Sequence, residues 1–230
     1  MAWIFNKWEI TPEVTFMDGT SEYSRAAKFR MPSANVIARA AFEPNQFVDP
    51  RDGKVYGAKP MPDGKIWMTE NLDYNLSGSV NYNNAASPPF AKAGRLYTWD
   101  QAMAVAPSGW HLPTDEEWIN LVKAVDPIGD PTGMGTTGNA GTALKATSGW
   151  LDYNGATGNG TDDFGFAALP GGYGHPVGSF DDVGVNGRWW TATESVASEA
   201  WRRNMGRSYS YVRRYSNSLA YRFSVRCVQD

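Results

Sequence analysis

The chain has 230 residues, of which 42% are hydrophobic and 13% aromatic, and this composition excludes wholesale disorder. A single cysteine, Cys227, excludes an internal disulfide, and no apolar run is long enough to cross a bilayer, so membrane insertion is not expected. The net charge of −3 is unevenly spread, because residues 201–230 hold seven arginines and one acid. This asymmetry predicts a basic surface near the C-terminus.

Residues 1–43 are expected to form a small β-rich unit. Four runs in this region are rich in β-branched and aromatic residues, at 3–10, 14–17, 27–31 and 36–42. The pairs Asp18-Gly19 and Pro32-Ser33 lie between these runs and are typical of turns. A unit of this size has difficulty burying a core alone.

This first unit resembles a known repeat of bacterial surface proteins. Phe5, Trp8-Glu9, the run 29–36, Ala40 and Phe42 carry the pattern. Through them the unit resembles the divergent internalin-type B-repeat, although the first strand of that repeat is missing. The chain also opens without a signal peptide, so we expect a partial repeat over 1–43 and a chain that is a piece of a longer protein.

A second, larger domain is predicted over residues 44–230. Asp52-Gly53 and Asp63-Gly64 each lie between apolar runs and predict two hairpins, with a buried strand at 65–68. At the other end, residues 221–228 alternate between apolar and polar side chains, which predicts a half-buried final strand. Its buried side is expected to carry Tyr221, Phe223, Val225 and Cys227.

Two main helices are predicted from capping boxes, in which a Thr and a Gln or Glu three residues later satisfy the first backbone N–H groups. The two boxes are Thr98 with Gln101 and Thr114 with Glu117. The first helix is expected to stop before Pro107 and the second at Asp126-Pro127, since proline cannot continue a helix. A third, short helix is predicted over 139–146, and the residues from 149 onward are expected to form ordered loops rich in glycine and aromatic residues.

This order of hairpins, two helices, long loops and terminal strands is typical of a C-type-lectin-like domain, an α+β fold with mixed antiparallel sheets. Eight segments carry a more specific pattern: 52–56, 67–72, 94–99, 107–118, 160–163, 168–172, 189–194 and 223–228. Through them residues 49–230 resemble the Fibrobacter succinogenes major paralogous domain family. The resemblance implies the fold and an extracellular setting, on a bacterial cell surface or a phage particle, more than it implies an activity.

No catalytic residues are expected. His111 and His175 are the only histidines, and with one cysteine they are too few for a structural zinc site. We interpret His111 as a hydrogen-bonded boundary residue before a helix and Cys227 as a buried, inert thiol. Formylglycine-generating enzymes share the lectin-like fold, but those compared use a pair of active-site cysteines, and this chain has one.

Calcium is the one cofactor to consider. Asp162 and Asp163 offer hard oxygen ligands in a Gly-rich loop, as do Asp181 and Asp182. The alternative interpretation is that these carboxylates are solvated or form turns. Glu43-Pro44-Asn45 matches the sugar-binding triplet of calcium-dependent lectins, but it lies in the linker before the fold, so calcium-dependent sugar binding is not predicted.

Residues 206–222, which we call the Tyr/Ser/Arg segment, have the composition of an antibody paratope. The segment holds four Tyr, four Ser and four Arg, with no Lys and no acid. Tyrosine gives rigid contact area, serine adapts its hydrogen bonds, and arginine anchors a partner. The alternative is a set of ordinary outer-strand residues. The predicted ligand-binding residues are Trp189, Arg202, Gly206, Ser208, Tyr209, Tyr211, Arg213, Tyr215, Ser216, Ser218 and Tyr221.

A resemblance to diversified proteins sharpens this prediction. Some lectin-like proteins of phages and bacterial surfaces are the targets of diversity-generating retroelements, and their variable segment lies at the C-terminal end of the fold. Adenine-directed mutagenesis of Asn codons cannot yield Lys, Glu, Gln, Met or Trp. None of these five occurs in the Tyr/Ser/Arg segment. The segment is therefore a candidate for hypervariability.

The function predicted from the sequence is a non-catalytic binding or adhesion module for a protein or glycan ligand on a cell surface. A purely structural repeat of a cell-surface or phage tail-fibre protein is the first alternative. A relative of the formylglycine-generating enzymes is the second. Nucleic acid is not expected as a partner, because no nucleic-acid module is recognisable and the remainder of the chain is acidic.

Overall fold

Short runs of apolar and aromatic residues fold this chain mainly into strands, with few helices. The computed structural model describes residues 3–11, 14–18, 28–30, 36–44, 46–86, 92–134 and 137–230. The strands are β1 (Trp3–Thr11), β2 (Ile37–Pro44), β3 (Gln46–Val48), β4 (Val55–Pro60), β5 (Ile66–Met68), β6 (Trp110–His111), β7 (Gly171–Gly174), β8 (Phe180–Val183), β9 (Asn186–Val196), β10 (Glu199–Gly206), β11 (Arg213–Ser218) and β12 (Val228–Gln229). The helices are α1 (Trp99–Val105), α2 (Asp115–Val125) and α3 (Ala140–Leu144), and a 3-10 turn spans Tyr82–Asn84.

The N-terminal strands form a separate antiparallel pair. In the β1–β2 pair, Trp3 lies opposite Pro44 and Thr11 lies opposite Ile37. This confirms the strands predicted at 3–10 and 36–42. The turns predicted at Asp18-Gly19 and Pro32-Ser33, and the ends of the run 27–31, fall wholly or partly outside the described residues.

The first sheet of the larger region has the strand order β3-β4-β5-β12-β6. Its β3–β4 and β4–β5 hairpins turn at the two predicted Asp-Gly pairs. Gly53 and Gly64 have φ of 75° and 81°, which is the left-handed conformation that a tight turn requires and that glycine adopts without strain. Both predicted hairpins are confirmed, and β5 is buried along its length as expected.

All three predicted helices form. Both capping boxes are present, and the Thr114 hydroxyl accepts a hydrogen bond from the Glu117 backbone N–H at 3.2 Å. The helix α2 buries Trp118, Leu121 and Val122 on one side, as their helical spacing predicts. None of the described helices is long and apolar enough to cross a membrane.

The second sheet has the strand order β11-β10-β9-β7-β8, with β7 parallel to β9 and the other pairs antiparallel. One of its faces packs towards α2 in a core cluster that includes Trp118, Trp189 and Met205. The indole rings of Trp118 and Trp189 have centroids 6.2 Å apart in this core. Such aromatic packing supplies much of the buried apolar area that stabilises a chain of this kind.

The final strand differs from its prediction. Only Val228–Gln229 forms a strand, and residues 223–229 are buried on both sides, including Ser224 and Arg226 at 0% exposure. The segment runs between the two sheets, with Phe223 bridged to Tyr97 and Ser224 bridged to Trp189. The prediction of a solvent-facing side at 222–228 was therefore wrong from Ser224 onward, while Cys227 is buried as predicted.

A buried ion cluster joins α2 to the second sheet. Arg203, which is 0% exposed, donates from Nη2 to Asp115 Oδ1 at 2.5 Å and from Nη1 to the Pro131 carbonyl at 2.6 Å. Arg214 Nε donates to the other oxygen of Asp115 at 2.9 Å, and its guanidinium lies 3.4 Å from the centroid of the Trp201 ring. One carboxylate thus holds two arginines of neighbouring strands.

Replacing Asp115 with alanine leaves the buried Arg203 charge without its carboxylate. We expect D115A to lower the free energy of unfolding by roughly 3–5 kcal/mol, the typical cost of breaking a buried ion pair. Chemical denaturation measures this directly. Glu116→Ala is the matched control, since Glu116 is exposed in the same turn of α2, and equal losses in the two variants would contradict the assignment.

Candidate ligand-binding surface

The alternation of side chains along β10 builds the candidate site. Arg202 and Asn204 point to one face of the second sheet, while Arg203 and Met205 point to the other. Strand pairing places Arg202 opposite Tyr215, and Asn204 opposite both Arg213 and Arg188. We call this side of the sheet the polar face. Beside the buried Trp190 and Ala200, it carries Asn186, Arg188, Arg202, Asn204, Arg213, Tyr215 and Asn217.

Two tyrosines from the loop between β10 and β11 cover one end of the polar face. Tyr209 and Tyr211 are stacked, with ring centroids 4.8 Å apart and an interplanar angle of 21°. The Arg213 guanidinium lies 4.2 Å from the Tyr209 centroid, and its Nη2 donates to the Tyr211 hydroxyl at 2.9 Å. Burial raises the pKa of Tyr209 to about 12, and its hydroxyl is hydrogen-bonded to the Asn204 amide.

Gly206 permits the close approach of the Tyr209 ring. A Cβ atom at position 206 would overlap that ring and would lie 2.8 Å from the Asn186 side-chain oxygen. Because glycine lacks this atom, the ring packs directly over the end of β10. Gly206 was predicted to bind ligand, but it is itself buried, so it makes room for the Tyr209 ring rather than lying at the surface.

Lys145 stabilises the same loop through hydrogen bonds to backbone carbonyls. Its Nζ donates to the carbonyls of Gly158, Gly206 and Tyr209 at 3.0, 3.1 and 3.4 Å. Burial lowers the pKa of Lys145 to about 8. The Ser210 carbonyl also accepts a hydrogen bond from the Thr142 backbone N–H at 2.9 Å. These bonds from one lysine and one helix fix the loop that carries the tyrosines.

Aromatic and charged groups extend the surface towards β7 and β8. The Arg188 guanidinium lies 3.6 Å from the centroid of the Tyr173 ring, and Arg188 Nη2 donates to Asp182 Oδ2 at 2.6 Å. Tyr221 lies beside this pair, with its ring centroid 6.2 Å from that of Tyr173 and 5.5 Å from that of His175. The polar face is thus flanked by tyrosines at both ends.

The structure brings together seven of the predicted ligand-binding residues: Arg202, Gly206, Tyr209, Tyr211, Arg213, Tyr215 and Tyr221. Ser208 is exposed in the turn of the loop. Ser216 and Ser218 lie on the opposite side of β11, where Ser216 Oγ donates to Glu199 at 2.5 Å. The period-2 alternation of a strand separates them from Tyr215.

Trp189 requires a correction. Its side chain is 0% exposed, packs against Trp118, and donates from Nε1 to Asn71 Oδ1 at 2.9 Å. It belongs to the core beneath the second sheet and not to a ligand surface. Its neighbour Arg188 points to the polar face instead, and the sequence alone contains no sign of which of the two residues would do so.

Sequence reasoning also missed the residues that complete the polar face. Asn186, Arg188 and Asn204 lie upstream of the Tyr/Ser/Arg segment, and Tyr173 lies still further upstream. Nothing in the composition around them marks a binding surface. Only the order of strands β11-β10-β9-β7 brings them beside the tyrosines.

Three of the four aspartates considered for calcium have other partners for their carboxylates, and the fourth, Asp163, is exposed. Asp162 Oδ1 accepts a hydrogen bond from the Ala167 backbone N–H at 2.7 Å, and burial raises the pKa of Asp162. Asp181 pairs with His175 at 2.8 Å, and Asp182 accepts from Asn186 and Arg188. Within the part of the chain that the structure describes, no group of three or more His, Cys, Asp or Glu side chains could hold a metal ion.

His111 lies at the boundary of the fold before α2, as predicted. Its Nδ1 lies 2.7 Å from Asp230, and its Nε2 lies 2.9 Å from Glu117. Hydrogen bonds to Asp230 and Glu117 raise the pKa of His111 to about 9. Burial opposes ionisation of Glu117, but hydrogen bonds from His111 and the Thr114 N–H prevail and lower the pKa of Glu117 to about 2. With both ring nitrogens bonded to carboxylates, His111 is a structural cation.

A substitution at Gly206 tests the packing of the loop. We expect Gly206→Ala to displace the Tyr209 ring and to separate the Tyr209–Tyr211 stack, because the added Cβ occupies the same space. Ring-proton NMR shifts of the two tyrosines measure this. Gly53→Ala is the control: its added Cβ meets nothing, so its cost is backbone strain at a φ of 75° in the first sheet and the tyrosine shifts should stay the same. Unchanged tyrosine shifts in G206A would contradict the packing.

The His111 cluster predicts how stability depends on pH. The raised pKa of His111 stabilises the fold fully below its ordinary value of 6.5, and this contribution is lost as the pH rises through about 9. The lowered pKa of Glu117 stabilises the fold above its ordinary 4.5, and that contribution is lost as the pH falls through about 2. We expect the two contributions together to be greatest between these ordinary values.

Denaturation between pH 6 and pH 9.5 checks this prediction. Because His111 is partly exposed, its contribution to the free energy of unfolding is about 1 kcal/mol. In His111→Gln the loss of stability over this range should be smaller than in the parent chain. His175→Gln is the control variant. If the pH dependence of its free energy of unfolding flattens equally, the assignment to His111 is contradicted.

Of the comparisons with known proteins, the one with family models gave a match. The family model described as the Fibrobacter succinogenes major domain matches residues 63–229, which include α1 to α3 and strands β5 to β12. Neither the curated proteins nor the solved structures that were compared gave a match. Since the matched segment spans well over half of the chain, this protein belongs to the Fibrobacter succinogenes major domain family.

Proposed function

We propose that this chain is a non-catalytic ligand-binding or adhesion module and that the polar face with its tyrosines is the binding surface. The observation that carries the proposal is the clustering of Tyr209, Tyr211, Arg213 and Tyr215 on one side of one sheet. Tyrosine and arginine are the residues that most often dominate binding energy at protein surfaces. Their rings are also held in place before any ligand arrives, which reduces the entropy lost on binding.

The frame that holds this surface is, in this proposal, C-type-lectin-like. Two antiparallel-rich sheets with α1 and α2 support this interpretation, as does the order of elements along the chain. The expected setting is extracellular, on a bacterial cell surface or a phage particle. The ligand is a protein or a glycan of a cell surface, with no role for nucleic acid.

The same surface supports the proposal of hypervariability. Tyr209, Tyr211, Arg213 and Tyr215 belong to the Tyr/Ser/Arg segment and to the binding surface. Arg214 lies in the same segment, yet it binds Asp115 beside the core. A retroelement that diversifies binding residues would therefore alter the first four while selection keeps Arg214.

Sequencing this locus across isolates tests hypervariability. We expect substitutions at Tyr209, Tyr211, Arg213 and Tyr215, with Arg214 kept because its loss leaves Asp115 without one of its two arginines. Variation at Ser208 and Ser216, which are also in the segment, is counted separately from these four positions. Uniform codons at the four positions across isolates would exclude diversification.

Removing tyrosine rings tests the binding surface itself. We expect the double variant Y211A/Y215A to keep its cooperative unfolding, since both residues are only half-buried. We also expect it to lose binding to cells and to glycan arrays, by about tenfold or more for two hot-spot residues. Fluorescently labelled protein on bacterial and animal cells and on an array of glycans gives the measurement.

Tyr153 supplies the matched control. It is an exposed tyrosine outside the polar face, so Tyr153→Ala should leave binding unchanged. If the double variant binds as the parent does, the polar face is not the binding surface. If it fails to fold, the tyrosines serve the structure, and the alternative of a structural repeat is favoured.

A further inference from the structure

Arg202 is a nearly buried cation with no acidic partner. It is 8% exposed, and its hydrogen bonds go to two amide oxygens, from Nε to Asn217 Oδ1 and from Nη1 to Asn204 Oδ1. Its Nη2 has no hydrogen-bond partner among the described residues, and no carboxylate of those residues lies within ion-pair distance of it. The guanidinium therefore keeps donors for a further acceptor.

The adjacent residue, Arg203, has the acidic partner that Arg202 lacks. Arg203 is even more buried, at 0% exposure, but it lies on the opposite face and is neutralised by Asp115. Burial of a charge is costly unless an opposite charge or a full set of hydrogen bonds compensates it. Burial, and then the positive charge of Arg188, lowers the pKa of Arg202 to about 9, so the site disfavours its own cation. A bound anion would offset both effects.

Neighbouring strands bring two more arginines to the same place. Arg188 and Arg213 flank Asn204 in register on the two sides of β10. The Nε atoms of Arg188 and Arg213 are buried and have no hydrogen-bond partner. One carboxylate, Asp182, lies among these three arginines, and it bonds Arg188. The polar face thus has an excess of positive charge at its centre.

We propose that Arg202, flanked by Arg188 and Arg213, binds the carboxylate of an acidic side chain on a protein partner. A guanidinium fork matches a carboxylate in a bidentate geometry. The Tyr215 ring, whose centroid lies 5.0 Å from the Arg202 guanidinium, and the Tyr209–Tyr211 stack frame the position. A sheet face edged by tyrosines resembles a protein-binding paratope more than a concave sugar site. This inference rests on the proposed binding function and specifies the ligand group that the surface takes.

A titration with small probes tests the inference on the full chain. The probe is N-acetylglutamate amide, its neutral match is N-acetylglutamine amide, and glucuronate represents an acidic sugar. The readout is the NMR signal of the arginine Nε–H groups. We expect the glutamate probe to shift the Arg202 signal saturably and the glutamine probe to leave it unchanged.

Two variants and one control assign the effect to the guanidinium. Because neither variant has an Arg202 signal, binding is read from the Nε–H signals of Arg188 and Arg213. Arg202→Gln should weaken binding of the glutamate probe by about tenfold or more, the usual consequence of losing a charged hydrogen bond. Arg202→Lys keeps the charge without the fork, and it should fall between the parent and R202Q. Lys123→Gln removes one exposed positive charge from α2 and should change nothing.

Three results would overturn the inference. They are an absent shift with the glutamate probe, equal shifts with the glutamine probe, and affinity in R202Q equal to that in the parent. Tighter binding of glucuronate than of the glutamate probe would overturn the assignment to a protein side chain. If the probes fail while Y211A/Y215A still loses cell binding, the carboxylate site alone is wrong, whereas failure of both tests removes the binding function as well.

Discussion

The alternation of side chains along β10 is the constraint on which this structure depends. Arg202 and Arg203 are neighbours in sequence, but a strand sends them to opposite faces of the second sheet. Arg203 forms an ion pair with Asp115 of α2, which links the helix to the sheet. Arg202 instead donates hydrogen bonds to two amide oxygens and lies beside the Tyr215 ring. One strand therefore stabilises the core on one side and holds an uncompensated charge on the other.

The polar face is rigid because its supports come from outside the sheet. Lys145 caps three carbonyls around the loop between β10 and β11, and α3 holds Ser210 through the Thr142 N–H. Gly206 leaves room for the Tyr209 ring to lie over the backbone. A surface that is fixed in this way loses little entropy when it binds, which is the usual basis of affinity in preorganised sites. Residues of the loop could then change without loss of the frame.

The two histidines and the single cysteine are all engaged in ion pairs or packing within the fold. Both ring nitrogens of His111 are bonded to carboxylates, and His175 pairs with Asp181 and packs beside two tyrosines. Cys227 is buried, and burial raises the pKa of its thiol far above its ordinary value, which keeps it protonated and unreactive. The conspicuous polar chemistry of the described residues lies instead on the sheet face that carries arginines and tyrosines.

The local elements and the family could be predicted from the amino-acid sequence. Capping boxes placed α1 and α2, Asp-Gly pairs placed two hairpins, and the motifs of residues 49–230 identified the family that the family model confirms. These features are local, since each depends on residues within a few positions of one another.

Which side chains share the surface depends on how the strands pair and pack. Strand pairing separated Ser216 from Tyr215, buried Trp189, and brought Arg188 and Asn204 to the tyrosines. Composition could mark the Tyr/Ser/Arg segment, but it could not say which face each residue occupies. That choice depends on contacts between residues far apart in sequence, such as Asp115 with Arg203 and Tyr97 with Phe223, and a single sequence carries no record of such pairs.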